Sequence, residues 1–370
     1  MKKHLLCTSA IIGCAMAAPA TAQNWDLDWG GYMNQHIAFA DVSGTAVNPL
    51  FFDGDGIVFH STTEIIFTPS ITLDNGLTFG VNVQMEGENN GGGAIGIDET
   101  YMSISGDSFG RLDIGSENSA GYKSMVAAPG VTSMYINSPS ISAFIPLSGV
   151  LPWNFRQAGL SAYTEVAGNN DVNRLTYYTP SFNGLTIGVS YARNNAGNAV
   201  TAANNNQAAA VNDIFDIGLN YSQTFGSTSV SVGARYGTGD AVAAGASDPS
   251  TWGIGMQIGF GDFTVGGHYA ENESLSAVGL NDQTGYSFGV TYDAAGPWAF
   301  EALAFMGEYN NTGAGGNDEE YNAYRIGASR DLGPGVDWDI YAVMAEADDK
   351  GTAGTDVEGF VVGTAINLSF

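Results

Sequence analysis

The amino-acid sequence predicts an all-β chain closed into a transmembrane antiparallel β-barrel of about sixteen strands. Three observations predict it. Apolar and polar residues alternate with period two along the whole length. The connections between alternating segments are short and long by turns. After the first 22 residues no run reaches the ~18–20 apolar residues that a membrane helix needs. The composition agrees: of 370 residues, 44% are hydrophobic, 13% are charged and 51 are glycine, against ~25% charged and ~7% glycine in an ordinary soluble domain. With 19 Phe, 17 Tyr and 6 Trp the chain is no acidic disordered polymer. Its 11 Lys and Arg against 38 Asp and Glu, a formal net charge of −27, exclude nucleic acid as a partner, because neutralising phosphates takes clustered cations.

In chain order, residues 1–22 have the form of a secretory signal. Lys2 and Lys3 are the basic start, Leu5 to Ala18 the apolar stretch, and Ala20-Thr21-Ala22 a small-residue cleavage site. The alternative makes Ile11-Ile12-Gly13-Cys14 a lipoprotein box. Cys7 and Cys14 both lie in this segment, so the processed chain has no disulfide and no thiolate metal site. Loss of Lys2 and Lys3 takes the charge to 9 minus 38, or −29.

Residues 23–370 form one barrel domain. Strands are expected to start near residues 25, 57, 77, 98, 111, 173, 185, 213, 229, 251, 263, 284, 298, 321, 336 and 358. The clearest is Leu77, Phe79, Val81, Val83 and Met85 set against Thr78, Gly80, Asn82, Gln84 and Glu86; the segments near 98 and 298 are blurred, the latter by Leu303 and Phe305. Short connections such as Asp74-Asn75-Gly76, Phe225 to Ser227 and Gly261-Asp262 carry turn chemistry. Long ones fall between them at about 40–56, 87–97, 116–172, 194–212, 238–250, 271–283, 310–320 and 347–357. Aromatic residues gather at both strand ends, among them Phe225, Phe260, Phe263, Tyr292 and Trp298 by the short turns and Tyr191, Tyr236 and Tyr269 by the loops. Two such bands suit two membrane interfaces. The alternate phase is small or hydrophilic (Gly218, Asn220, Gly253, Gly255, Gln257, Gly363, Asn367) and is expected to face a wet lumen, which sixteen strands are wide enough to enclose.

Two segments carry a family resemblance. Phe109-Gly110-Arg111-Leu112-Asp113-Ile114-Gly115 resembles the strand that leads into the third loop of Gram-negative general porins of the sixteen-stranded alphaproteobacterial type. Asn173-Arg174-Leu175-Thr176-Tyr177-Tyr178-Thr179-Pro180-Ser181-Phe182-Asn183-Gly184-Leu185 resembles the hairpin after that loop, and Phe370 the terminal aromatic read by the assembly machinery. The resemblance implies a homotrimer in the outer membrane, among lipid and lipopolysaccharide, passing small hydrophilic solutes and ions by passive diffusion. It also implies a third loop folded into the barrel as a constriction. Independently, residues 116–172 exceed the ~12–15 residues of an ordinary structureless connection, and their apolar middle, Met125 to Phe155, needs a place to be buried.

In such channels basic wall residues face acidic loop residues. Arg111, Arg174, Arg235 and Arg325 fall on inward phases, with Arg111 and Arg174 expected as neighbours on the strands entering and leaving the loop; the alternative is ordinary wall charges paired with Glu99 or Asp113. Further lining candidates are Glu64, Glu117, Lys123, Arg156, Glu165 and Asp171. The loop departs from the family pattern in having no charge from Ser124 to Phe155, which argues against a strong transverse field. Inward carboxylates (Asp28, Glu64, Glu86, Glu99, Asp113, Asp216) outnumber inward arginines, so a weakly cation-selective pore is expected. Acidic loop pairs, Asp53 with Asp55 and Asp318 with Glu319 and Glu320, are candidates for holding Ca²⁺ or Mg²⁺, or are simply solvated; no other cofactor is expected. Gly106-Asp107-Ser108-Phe109-Gly110 spells a nucleophile elbow but leads into a strand rather than a helix, and His36, His60 and His268 lie scattered along the chain, so no enzyme is expected. Two alternatives stay open: a substrate-selective channel in which Tyr135, Trp153 and Phe155 form a greasy slide for a sugar, and a surface β-rich adhesin.

Overall fold

A computed structural model describes residues 24–44, 55–87, 96–134, 144–145, 165–168, 170–196, 209–274, 281–311, 319–349 and 356–370; the leader expected over 1–22 lies outside them. Among the described residues seventeen strand segments form a single sheet. They are β1 (Trp29–Ser43), β2 (Gly56–Phe67), β3 (Ser70–Thr72), β4 (Thr78–Glu86), β5 (Ile97–Gly106), β6 (Gly110–Glu117), β7 (Val172–Tyr178), β8 (Leu185–Asn194), β9 (Val211–Phe225), β10 (Thr228–Ala241), β11 (Ser250–Phe260), β12 (Phe263–Ser274), β13 (Asn281–Asp293), β14 (Trp298–Asn311), β15 (Glu319–Gly333), β16 (Val336–Asp349) and β17 (Val357–Ser369). Neighbours pair antiparallel. β1 bonds both β2, with Trp29 opposite Phe67, and β17, with Tyr32 opposite Ser369, so the sheet closes on itself. β2 and β3 are one stave: both pair with β4, and Pro69, which has no N–H for the ladder, stands between them. The result is the sixteen-stave closed barrel expected, the form a sheet must take where lipid offers no hydrogen-bond partners.

The first strand becomes regular at Trp29 rather than near 25, preceded only by a bridge from Asp26 to Ser70. The connection expected over 271–283 is shorter than that, because β12 runs on to Ser274 and β13 resumes at Asn281. Its end, Glu271-Asn272-Glu273, is polar on both faces; the ladder continues above the apolar band, where alternation no longer reports it. Turn chemistry holds: Gly226 and Gly261 take φ of +64° and +56° in the two-residue hairpins, a conformation glycine adopts without steric cost.

The outer surface is apolar. Ile57, Phe59 and Phe288 are 69%, 68% and 61% exposed, values that mark a lipid-facing coat rather than a core. At the short-turn end the aromatic rings of Phe260, Phe263, Tyr292, Phe300, Trp298 and Trp338 follow one another along the rim from β11 to β16, with centroids 4.7–6.5 Å apart. Toward the loops Tyr191 meets Phe215 at 4.9 Å and Trp252 meets Tyr269 at 5.3 Å.

The interior corrects one expectation. It is not uniformly small and hydrophilic, because β1 and β14–β17 present an apolar sector inward: Ala38, Ala40, Phe305, Tyr321, Tyr341, Val343 and Val361, all buried. Met134, Phe144 and Ile145 of the long third connection cover it and form one core with it. Those strands are apolar in both phases, outward for lipid and inward for the loop, which is why the phase near 298 was blurred.

Candidate functional site

The described parts of 116–172 run along the inner wall. Ser119 caps the one-turn helix α1 (Ala120–Ser124), its Oγ accepting from Tyr122 N at 3.1 Å. From there the chain crosses strand after strand. Asn220 on β9 donates to Ser124 O (3.0 Å), Gln257 on β11 to Ala127 O (2.9 Å), and beyond them the loop's own amides turn to wall carboxylates. Val131 N and Thr132 N donate to Glu301 Oε2 on β14 at 2.6 and 3.2 Å, and Thr132 Oγ1 to Glu301 Oε1 at 2.6 Å. Ser133 N and Oγ donate to Asp339 Oδ2 on β16 at 2.7 and 2.9 Å.

Glycines make this close approach possible. A Cβ at Gly233 would stand 2.6 Å from both Ser124 O and Val126 N, one at Gly289 2.9 Å from Pro129 O, and one at Gly255 would overlap the Val126 carbonyl oxygen. The inward glycines of β10, β11 and β13 thus form a track in which backbone lies on backbone. Between residues 127–133 and the wall from β12 round to β1 a cavity of about 800 Å³ remains, bordered by His268, Ser287, Asp293, Arg325, Asp331 and Asp337.

The sequence-predicted charges fall into separate clusters rather than one constriction. Arg111 and Arg174 are not neighbours: Arg111 stands opposite Tyr178 and Arg174 opposite Gly115, four residues or about 13 Å apart along the strands. Arg111 Nε pairs with Asp113 at 2.8 Å, the ordinary wall pairing. Arg174 is buried and donates from Nε to Glu117 O at 2.6 Å. Arg235 is buried between Asp216, with which it makes a short ion pair, and Glu165 at 3.4 Å; Glu165 also accepts from Ser119 N at 2.7 Å, tying both ends of the loop to the wall. Arg325 pairs with Glu301 at 2.8 Å. Three of the four arginines therefore fasten the loop or its wall partners, and only Arg111 is substantially exposed.

Lys123 reaches Glu117 at 2.7 Å and Glu99 at 3.6 Å and lies 4.6 Å from the centre of the Tyr101 ring. Burial opposes its ammonium, yet Glu117 and Glu99 more than compensate and hold its pKa above the usual lysine value. Glu99 also accepts from Gln84 and from Asn118 N and Nδ2. Glu64 accepts from Tyr32 OH at 3.1 Å. Asp171, at the loop's exit, is pushed up to about 7 by burial and by the nearby charges of Asp98, Glu99 and Glu165, although Asn170 donates to it. Asp28, expected inward, is exposed ahead of β1.

Arg156, Tyr135, Trp153 and Phe155 lie outside the described residues, as do Asp53 and Asp318. Asp55 accepts from Val42 N at 3.4 Å, Glu320 is half-buried, and among the described residues no three or more His, Cys, Asp or Glu gather as metal ligands. Sequence reasoning missed Glu301 and Asp339. Both sit on the inward phase of strands that are apolar in both phases along much of their length, and an inward acid in such a strand was the available signal.

A closed sixteen-stave barrel, aromatic at both rims, with the described part of its third connection laid against the inner wall, has known counterparts. A family described as Gram-negative porin matches residues 8–352. The chain belongs to the Gram-negative porin family. Similar solved structures include an anion-selective porin from Comamonas acidovorans (15% identity, TM-score 0.60, covering 94% of this chain and 100% of that one). OmpTdeltaL8, a loop-deletion form of an outer-membrane protein of Vibrio cholerae, is 16% identical with a TM-score of 0.60 over 93% of this chain and 99% of its own. The outer-membrane channel DcaP of Acinetobacter baumannii is 11% identical with a TM-score of 0.62 over 94% and 97%. No curated protein sequence matches the chain. This porin is a channel of the cell outer membrane for passive diffusion, which sets the adhesin alternative aside.

Proposed function

We propose that this porin is a weakly cation-selective homotrimeric channel whose constriction is built by residues 116–172. The observation that carries the selectivity is the charge inventory around the loop and its wall. Glu64, Glu99, Asp113, Glu117, Glu165, Asp216, Glu301 and Asp339 stand against Arg111, Lys123, Arg174, Arg235 and Arg325. Most of these charges are paired, so the field left over is small and its sign negative. Cations are then enriched along the passage, modestly, because water and salt screen the remainder. This distinguishes the chain from its Comamonas counterpart, which is described as anion-selective.

The loop as constriction is supported by its hydrogen bonds to Glu301 and Asp339 and by its glycine track. A trimer is supported by kinship of fold with a structure described as the trimer form of Vibrio cholerae OmpT. The test is a planar-bilayer measurement across a potassium chloride gradient. The expected reversal potential has the sign of cation preference, and an anion-selective one would overturn the selectivity. Heat-modifiable migration of a detergent-extracted trimer is expected as well; monomer alone would overturn the assembly.

A further inference from the structure

Arg330 lies on the outward phase of β15 near the short-turn end, in register with Trp298 of β14 on one side and Trp338 of β16 on the other. Tyr324 and Ile326, on the same phase, are exposed to lipid, whereas Arg325 and Ser329, on the other, border the inner cavity. The two indole rings meet at 5.7 Å, and the guanidinium carbon stands 5.5 Å from the centre of the Trp298 ring. Trp338 is fixed by its own N–H, which donates to Thr364 Oγ1 at 2.7 Å. Arg330 Nε is shut away from solvent and has no hydrogen-bond partner among the described residues. Arg111, Lys123, Arg193, Arg235 and Arg325 each make an ion pair; among the described residues Arg330 makes none. Toward the membrane midplane the next outward position is Ala328, set between the larger Phe300 and Ile340. One rung further, Ile326 stands between Ala302 and Ala342. Low ground therefore runs up the wall from the guanidinium over Ala328 and divides around Ile326.

We propose that Arg330, Trp298 and Trp338 form a binding site on the outside of the barrel for an anionic glycerophospholipid of the periplasmic leaflet. The short turns of such barrels lie at the periplasmic side, and their aromatic belt sits at headgroup level, so the guanidinium is held where lipid phosphates are. An arginine at this depth is tolerated, unlike one at the midplane, because its polar end reaches the interface. Its planar fork matches two oxygens of a phosphodiester, while the Trp298 face steadies the cation from behind. In a chain of net charge −27 an unpaired cation on the lipid face is an isolated point of attraction for an anionic headgroup. A zwitterionic headgroup carries its own ammonium, which competes for the phosphate. The low ground over Ala328 and on either side of Ile326 suits two acyl chains leaving one headgroup, and a free phosphate would leave it unused.

The test is native mass spectrometry of the full chain released from detergent micelles and titrated with phosphatidylglycerol or phosphatidylcholine, which reads bound lipid and oligomeric state in one spectrum. The unmodified protein is expected to retain one phosphatidylglycerol per chain, about five-fold more tightly than phosphatidylcholine. Arg330→Gln should bring phosphatidylglycerol down to the phosphatidylcholine level. Arg193→Gln removes an equal charge from the loop-end rim, where Asp213 holds the guanidinium at 2.9 Å, and should bind as the unmodified protein does. Ala328→Phe fills the low ground under the acyl chains, leaves the cation in place and should also weaken retention. Absence of a preference for phosphatidylglycerol, its persistence in Arg330→Gln, or an equal loss in Arg193→Gln overturns the proposal. Displacement of the lipid by millimolar inorganic phosphate would make this a site for a free anion and overturn the lipid occupant. Dissociation of the Arg330→Gln assembly in lipid-free detergent would make the face a contact with a second copy and overturn it as well. If Arg330→Gln does not fold, Ala328→Phe decides: unchanged retention overturns the proposal.

Discussion

Glu301→Gln isolates what the wall contributes to holding the loop. The carboxylate accepts three bonds from the loop, from Val131 N, Thr132 N and Thr132 Oγ1, and pairs with Arg325, the two side chains being 0% and 3% exposed. A glutamine fits the space but has one acceptor oxygen. Placed at the Oε2 position, that oxygen keeps the two backbone amides, while the new NH₂ points at Arg325 Nε, donor against donor. Bonds to a charged acceptor contribute about 1.5–3 kcal/mol each and neutral ones about 0.5–1.5, so three bonds lose about 3 kcal/mol together. Arg325 is left buried with its charge uncompensated, an outcome that typically costs about 3–5 kcal/mol when one member of a buried pair is removed. The two figures overlap, and about 3–5 kcal/mol is the expected total. The loop around 130–133 should detach, open-channel noise should rise, and the reversal potential should move toward anions because a positive charge is unmasked. Bilayer recordings and thermal unfolding in detergent read both effects. Glu301→Gln/Arg325→Gln should recover the selectivity but not the quiet open state. A single variant with unchanged conductance, selectivity and melting temperature would refute the role given to Glu301.

Three further outcomes follow from the same structure. Gly255→Ala places a Cβ against the Val126 carbonyl and should cost about 1–3 kcal/mol and alter conductance, whereas Gly96→Ala, which meets nothing within 4 Å, should do neither; equal behaviour of the two would remove the glycine track. Ile254→Arg on the lipid face should lower unfolding free energy in vesicles by about 2–4 kcal/mol, against little for Thr62→Arg on the lumen face, and the reverse order would invert the assigned faces. Asp171, with its carboxyl at about 7, binds more protons folded than unfolded between the ordinary aspartate range and that value, so its contribution to stability falls as pH rises through this window. Asp171→Asn should flatten that slope in unfolding midpoints measured from about pH 4 to 7.5, and an unchanged slope would count against a strained carboxyl there.

Much of the barrel was legible because lipid imposes a rule that local sequence must obey. A stave facing hydrocarbon on one side shows it as alternation, as Phe215, Ile217 and Leu219 do on β9, and hairpins show it as Gly226 or Gly261 at a left-handed turn. The rule lapses where β12 rises into water and where β14 and β16 are apolar on both faces, and there boundaries and phase were lost. The site was less legible. Arg174, Arg235 and Arg325 were correctly placed inward, but their partners, Glu117, Glu165 and Glu301, lie 57, 70 and 24 residues away in sequence.

The sequence by itself determined closure, the number of staves, which residues face lipid and the negative balance of charge, since each is a property of a single strand or of the sum. Only the tertiary structure decided that the wall's carboxylates grip the loop's backbone, that inward arginines are spent on fastening, and that Arg330 stands in register between Trp298 and Trp338. Those pairings depend on register around a closed ring and on the path of one long connection across it, and no local pattern encodes either.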